Sequence, residues 1–182
     1  MTQRVQISVI GTSEGDEEIL RAAEAVGRGI AEAGAVLVCG GLTGVMEAAS
    51  KGASGAGGTV LAILPTLSPA DANPYVTHAV ATGTGHARNL AVVASGEAVI
   101  AVGGEWGTLS EIAYARKLGR PVVAIQSWPL RDRAGTDLGI VEAETAEEAV
   151  KAAMSAAVVE PSSAVRTEAV DEVLDQAEVD RS

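Results

Sequence analysis

The chain has 182 residues, 47% of them hydrophobic, and carries 24 acidic against 13 basic residues, a formal charge of −11 at pH 7. That length and apolar content suit one globular domain with a real core, while the acidity excludes the usual nucleic-acid binder, since a negative surface repels phosphate backbones and no basic patch interrupts it. Aromatics are only 2% and Phe is absent, so the core must be built from Ala, Val, Leu and Ile, and the 21 glycines signal many tight strand–helix turns.

Val5–Ile10 is predicted as the first strand, closed by Gly11-Thr12-Ser13-Glu14-Gly15, which is turn chemistry. From Asp16 to Ala33 the apolar Ile19, Ala23, Val26 and Ile30 recur at helical spacing, with acidic residues in the first turn and Gly34 as the stop. Val36–Cys39 is the second strand, followed by Gly40-Gly41-Leu42-Thr43-Gly44 and a small-residue helix through about Ser54. Thr59–Leu64 is the third strand. Thr66–Pro74 is an irregular loop, and Tyr75–Val80 reads as a fourth strand in which His78 is a packed polar residue. Thr82-Gly83-Thr84-Gly85 leads into a helix, His86–Ser95.

Ala98–Val102 is a short β-branched apolar run of the kind found in buried parallel strands. Behind it stands Gly103-Gly104-Glu105-Trp106-Gly107-Thr108-Leu109-Ser110-Glu111, a strand-to-helix turn whose helix is patterned over 109–118. Backbone N–H groups converge there at the positive end of a helix dipole, a ready site for phosphate. Pro121–Gln126 is the next strand. Ser127–Asp137 is a polar excursion containing Trp128, and Ile140–Glu142 is a short edge strand. Thr145-Ala-Glu-Glu148 has capping-box spacing and opens a helix to about Ala157. Residues 158–182 are acidic and read as a tail or a weak helix, leaving 1–157 as the domain.

Strands alternating with helices, with glycine turns after the strand ends, predict an α/β fold: one Rossmann-like, doubly wound parallel sheet with helices on both faces. Ligands of such sheets bind beyond the carboxyl ends of the strands. Four segments are expected at that mouth: Gly11–Gly15, Gly40–Gly44, Gly83–Arg88 and Gly103–Glu111. A nicotinamide dehydrogenase is disfavoured, because no three-glycine fingerprint follows the first strand and Glu24 falls inside a helix.

Several residue roles stay open at this level. Gly40–Gly44 suits either a phosphate or close helix–strand packing. Arg88, a cation at a helix start, is placed against the dipole and must be held either by an anionic ligand or by a bridge to Glu111 or Glu97. Glu111 is the acid–base candidate, His86 an exposed or capping residue. The two histidines have no metal-ligand spacing, so no metal or cofactor is expected. One cysteine, Cys39, forms no intramolecular disulfide and fits a reducing compartment. No leader pattern precedes Arg4, and no apolar run is long enough for a bilayer, so the expected location is cytoplasmic with no membrane partner.

Taken together, these motifs resemble the LOG ("Lonely Guy") family, often mislabelled lysine decarboxylases, and the related Rossmann proteins that include molybdenum-cofactor carriers and DNA-processing-protein-like domains. Gly40-Gly41-Leu42-Thr43-Gly44-Val45-Met46 is similar to the family's GGxxGLM turn, Arg88-Asn89 falls at its Arg-Lys pair, and Gly103–Glu111 is similar to its PGGxGTxxE signature. The resemblance implies a small-molecule nucleotide ligand and a nucleoside 5′-monophosphate phosphoribohydrolase that frees the base from ribose 5-phosphate. By matching positions it implies Arg88 and Glu111 as the catalytic pair. Thr12, Ser13, Gly40, Gly41, Gly44, Gly103, Gly104, Gly107 and Thr108 would surround the nucleotide and its phosphate. It also implies a homo-oligomer. Four positions depart from the pattern: Gly103 for Pro, Glu105 for Gly, Asn89 for Lys, and Glu47 where Gly is common. These departures resemble the carrier branch, whose implied alternative is non-catalytic binding of a nucleotide or a molybdenum-cofactor pterin. Single-stranded DNA is disfavoured for want of a basic or aromatic platform.

Overall fold

The computed structural model describes residues 4–136 and 138–158. Seven strands form one parallel sheet: β1 (Gln6–Gly11), β2 (Val36–Cys39), β3 (Thr59–Leu64), β4 (His78–Ala81), β5 (Ala98–Val102), β6 (Val122–Ile125) and β7 (Ile140–Glu142). Their spatial order is β4-β3-β2-β1-β5-β6-β7. The chain thus winds outward from β1 to β4, returns to the centre, and winds the other way from β5 to β7. The switch point lies between β1 and β5, whose register pairs Ile7 with Ala98 and Gly11 with Val102.

Strand alternation builds two cores. One face of the sheet presents Ile7, Val9, Leu37, Ile100 and Val102 to three helices: α1 (Glu17–Glu32), α2 (Val45–Gly55) and α5 (Ala146–Val158). The other presents Ile10, Val38, Val99 and Ala101 to α3 (Asn89–Ser95) and α4 (Trp106–Lys117). Because the central strands are covered on both sides, every residue of β5 is buried, which explains its unbroken apolar run. One polar side chain, Ser8, sits wholly buried in β1, and its hydroxyl donates to the Val92 carbonyl at 2.6 Å, linking the sheet to α3.

Helix starts follow the local chemistry. Asp16 caps α1, its carboxylate accepting from the Ile19 N–H at 2.9 Å. Thr145 and Glu148 exchange capping bonds at the start of α5, with Glu148 N–H donating to Thr145 Oγ1 at 3.2 Å and Thr145 N–H to Glu148 Oε2 at 3.3 Å. This is the reciprocal box read from the spacing.

Four details differ from expectation. The fourth strand begins three residues late, at His78, preceded by Thr77, whose hydroxyl bonds both the N–H and the carbonyl of Val60 at 2.8 Å each while its own N–H donates to that carbonyl at 3.1 Å. His78 is exposed on this edge strand rather than packed. The expected helix 86–95 divides into one 3₁₀ turn, Gly85–Arg88, and α3. Finally, α4 starts at Trp106, so Gly107 and Thr108 lie in its first turn instead of ahead of it. The expected tail or weak helix over 159–182 lies outside the described residues. No described helix is long and apolar enough to cross a membrane.

Candidate functional site

All four turns anticipated from the glycine pattern meet at the carboxyl ends of the central strands. They enclose a cavity of about 290 Å³, lined by Gly11, Thr12 and Ser13 after β1, Gly40 and Leu42 after β2, His86, Arg88 and Asn89 before and at the start of α3, and Glu105, Gly107, Thr108 and Glu111 of the α4 turn. This is the switch-point crevice of a doubly wound sheet.

The expected site residues divide in two. Thr12, Ser13, Gly40, Arg88, Gly107, Thr108 and Glu111 line the cavity, whereas Gly41, Gly44, Gly103 and Gly104 do not. The latter shape the turns. A Cβ on Gly44 (φ +66°) would come within 2.5 Å of the Ser13 backbone, and one on Gly41 (φ +72°) within 2.5 Å of Ala62 Cβ. At both positions the glycine permits close packing, and the close approach lets Val45 N–H donate to the Thr12 carbonyl at 3.0 Å, tying the first turn to the second. Glu47 is half-buried in the first turn of α2 and does not line the cavity, so its carboxylate does not reshape it.

Arg88 is the unusual residue. It is 8% exposed, yet no salt bridge involves it among the described residues. Glu97, one of its two expected partners, instead accepts from the Gln6 N–H at 2.6 Å. Arg88 Nη1 donates to Asn89 Oδ1 at 2.8 Å and Nη2 to the Gly40 carbonyl at 3.4 Å, while Nε is buried without a partner. The guanidinium lies directly over Gly40, where a Cβ would sit 2.5 Å from Nη2. Asn89, which stands where the enzymes carry a second cation, therefore holds the first one in place. Burial lowers the Arg88 pKa, opposed by the charge of Glu111. Burying a charge with one orphaned donor is costly unless something compensates it.

Glu111 is 6% exposed, one turn into α4. Burial pushes its carboxyl up to about 7 against the pull of Arg88, so it titrates near neutrality. Glu105 caps the start of α4, its N–H donating to Thr108 Oγ1 at 3.5 Å. Its side chain crosses the mouth to the first turn, where Thr12 Oγ1 lies 2.9 Å from Glu105 Oε1 and 2.9 Å from the Glu14 carbonyl. One hydroxyl proton serves a single acceptor at a time, and the charged one is the stronger. A carboxylate therefore occupies a hydroxyl expected to line the ribose or phosphate, at the positive end of the α4 dipole. No group of three or more His, Cys, Asp or Glu among the described residues is arranged for a metal ion.

Two aromatic rings lie beside the α4 turn without lining the cavity. Trp106 opens α4, and its ring lies 5.7 Å from that of Trp128, tilted by 37°. Trp128 follows β6 directly, a position that signals the same strand-end mouth, but only the fold brings the two rings together.

Replacing Arg88 with Met tests the cost of the unpaired charge. The expected result is a gain of about 1 kcal/mol in unfolding free energy, together with a loss of roughly 100-fold in affinity for a phosphate-bearing ligand. Urea unfolding and calorimetric titration check the two halves, and a destabilised R88M protein would mean that the guanidinium is already compensated.

Fold and cavity together define a Rossmann-like protein with a small-molecule crevice at the topological switch point. The chain belongs to the SLOG cluster4 family, whose model matches residues 4–160. An uncharacterized protein of Archaeoglobus fulgidus is 46% identical over 154 residues, covering 85% of this chain and 97% of that one. Among solved structures, the molybdenum cofactor binding protein of Rippkaea orientalis is similar at 34% identity and TM-score 0.77, over 85% of this chain and 98% of that chain. The molybdenum cofactor carrier protein of Chlamydomonas reinhardtii follows at 32% identity and TM-score 0.75, over 84% and 98%. DNA processing protein A of Streptococcus pneumoniae shares the fold at 20% identity and TM-score 0.64, over 81% of this chain and 61% of that one.

Proposed function

We propose that this protein is a carrier that binds and releases, without turnover, a phosphate-bearing heteroaromatic molecule of the molybdenum-cofactor pterin kind. The observation that carries this reading is Arg88: a buried guanidinium with an orphaned Nε and no salt bridge among the described residues, lining a crevice of about 290 Å³. An anionic end of a ligand supplies the missing charge. The first N–H groups of α4 lie alongside, since the first turn of a helix has no internal acceptors for them, and that of Thr108 is capped by the Glu105 carboxylate. The orphaned donor and the helix start thus fit the phosphate of such a ligand, with Arg88, Gly107 and Thr108 holding it. Similarity to the cofactor-binding proteins of Rippkaea orientalis and Chlamydomonas reinhardtii over nearly their whole lengths supports the same class of cargo. Glu105 argues for binding over hydrolysis. Its carboxylate already engages Thr12, so a phosphate must displace it, which favours exchange of cargo over a rigid catalytic grip.

The second reading, phosphoribohydrolase, rests on Glu111. A carboxyl near pKa 7 beside an arginine is suited to protonating a departing base or stabilising an oxocarbenium-like state. One experiment separates the two. The protein is incubated with a panel of nucleoside 5′-monophosphates, with chromatography for released base, and in parallel with molybdenum cofactor extracted from a molybdoenzyme, with co-elution of the pterin measured after oxidation to its fluorescent form. The carrier reading expects retained pterin and no free base. Base release that disappears in Glu111→Ala would overturn it in favour of the hydrolase.

A further inference from the structure

Only two Trp and two Tyr occur in the whole chain, with no Phe, so aromatic surface is scarce. Both tryptophans nevertheless meet beside the α4 turn that borders the crevice, although neither ring is among its lining residues. Trp106 is 77% exposed although it is a large apolar ring on the first turn of a helix, and it is flanked by Glu105 and Gly107, both of which line the crevice. Trp128 backs it at 5.7 Å. The backing ring packs on the glycine loop itself: a Cβ on Gly104 (φ +152°) would lie 3.0 Å from Trp128 Nε1 and 3.3 Å from Ser127 Oγ.

Two further observations mark the same spot. Trp128 Nε1 and Ser127 Oγ are both buried without hydrogen-bond partners, two of the four such side-chain atoms among the described residues. Buried donors are ordinarily satisfied, and unsatisfied ones call for a partner. The residue just before them, Gln126, has φ +51°, the single non-glycine residue in the left-handed region among those described. That conformation costs of order 1 kcal/mol and persists where the surroundings enforce it. The Gln126 side chain Nε2 donates to Glu18 Oε1 at 2.8 Å, joining the end of β6 to α1. The strained link turns the chain so that Ser127 and Trp128 fold back over Gly104.

We propose that Trp106, backed by Trp128, is the stacking face for the planar ring of the ligand, a bicyclic heteroaromatic such as a pterin or purine. This rests on the carrier reading, with the anionic end at Arg88 and α4. Trp106 offers an open π face. Trp128 Nε1 and Ser127 Oγ are donors of the kind that meet the carbonyl and ring nitrogens of such a heterocycle, once the tilted pair opens to admit its edge. Stacking of this sort tolerates different rings, because every base or pterin has a π face, so the platform selects for flat ligands as a class.

The test compares three probes by calorimetric titration of the full chain: ribose 5-phosphate, which has the anion and no ring, guanosine 5′-monophosphate, and a pterin phosphate. In Trp106→Ala, affinity for the ring-bearing probes is expected to fall about tenfold, the size of one ring-stacking contact, with ribose 5-phosphate unchanged and Trp106→Tyr restoring most of the loss. Equal affinities in W106A and the unsubstituted protein would overturn the stacking face and leave the carrier reading standing. An equal loss for all three probes would overturn it by assigning Trp106 to shaping the start of α4. A changed sedimentation coefficient in W106A with ring affinity intact would assign the ring to a contact between copies and overturn it. Failure of every ring-bearing probe to bind the unsubstituted protein would overturn both the carrier reading and the stacking face.

Discussion

Glu111→Gln is expected to stabilise the protein at pH 8 and to leave its stability nearly unchanged at pH 4. The sign follows from the direction of the shift. Burial raises the folded-state pKa from an ordinary 4.5 to about 7, so between those values the folded chain binds a proton that the unfolded chain has released. Stability contributed by the protonated carboxyl is fully present below pH 4.5 and is lost as pH rises through 7. The difference between the two proteins should grow by about 3 kcal/mol across that window. Gln keeps the shape and never ionises, so the pH-dependent cost disappears. Urea unfolding of both proteins at several pH values measures it. A variant that loses stability at pH 8 would show that Arg88 holds Glu111 as a charged pair. The same titration acts on the ligand: an anion meets less repulsion while Glu111 is neutral, so its affinity should fall as pH rises through 7, and this fall should vanish in E111Q.

The second large effect lies away from the crevice, where α1 crosses α2. A Cβ on Gly27 would fall 1.9 Å from the Ala49 carbonyl oxygen, and one on Gly52 would fall 1.9 Å from the Glu24 carbonyl oxygen. The two helices thus meet backbone to backbone, each glycine receiving a carbonyl of the other. Neither obstacle is a side chain that can swing aside, so a single methyl must part the helices. Gly27→Ala is expected to cost about 3 kcal/mol even after the gain in helix propensity, a large share of the roughly 5–15 kcal/mol that holds a domain together. Gly55→Ala is the matched control. It lies at the end of α2 with nothing within 4 Å of its Cβ position, and should be neutral or slightly stabilising. Thermal or urea denaturation ranks the three proteins, and a neutral Gly27→Ala would mean that the helices can separate at little cost.

Much of this molecule was legible from local pattern. The bounds of β2, β3 and β5 coincide with their apolar runs, because a strand buried on both faces needs consecutive small or branched apolar residues and stops where glycine, Pro or charge intervenes. The convergence of four turns on one mouth was also legible, since in a doubly wound parallel sheet all strand ends that precede helices lie on the same side. The carrier-like departures Glu105 and Asn89 were visible as substitutions in a motif. Their meaning was not: Asn89 bonds its neighbour Arg88 through side-chain orientations that no spacing encodes, and Glu105 reaches across to Thr12, far away in the chain.

By itself, then, the sequence determined the α/β class, the order and periods of the elements, the capping box of α5 and the position of the glycine mouth, because each is written in spacings within a few residues. Only the tertiary structure decided that Arg88 is buried without a salt bridge among the described residues, that Gly41 and Gly44 pack closely against their neighbours while Gly40 makes room for a guanidinium, and that the two tryptophan rings meet at all. Trp106 and Trp128 sit on opposite sides of a helix and a strand in the chain, and burial, charge pairing and ring contact depend on neighbours that no local period encodes. The physical reason is that desolvation and stacking act between segments brought together by the sheet, and their strength is set by what surrounds a side chain in space.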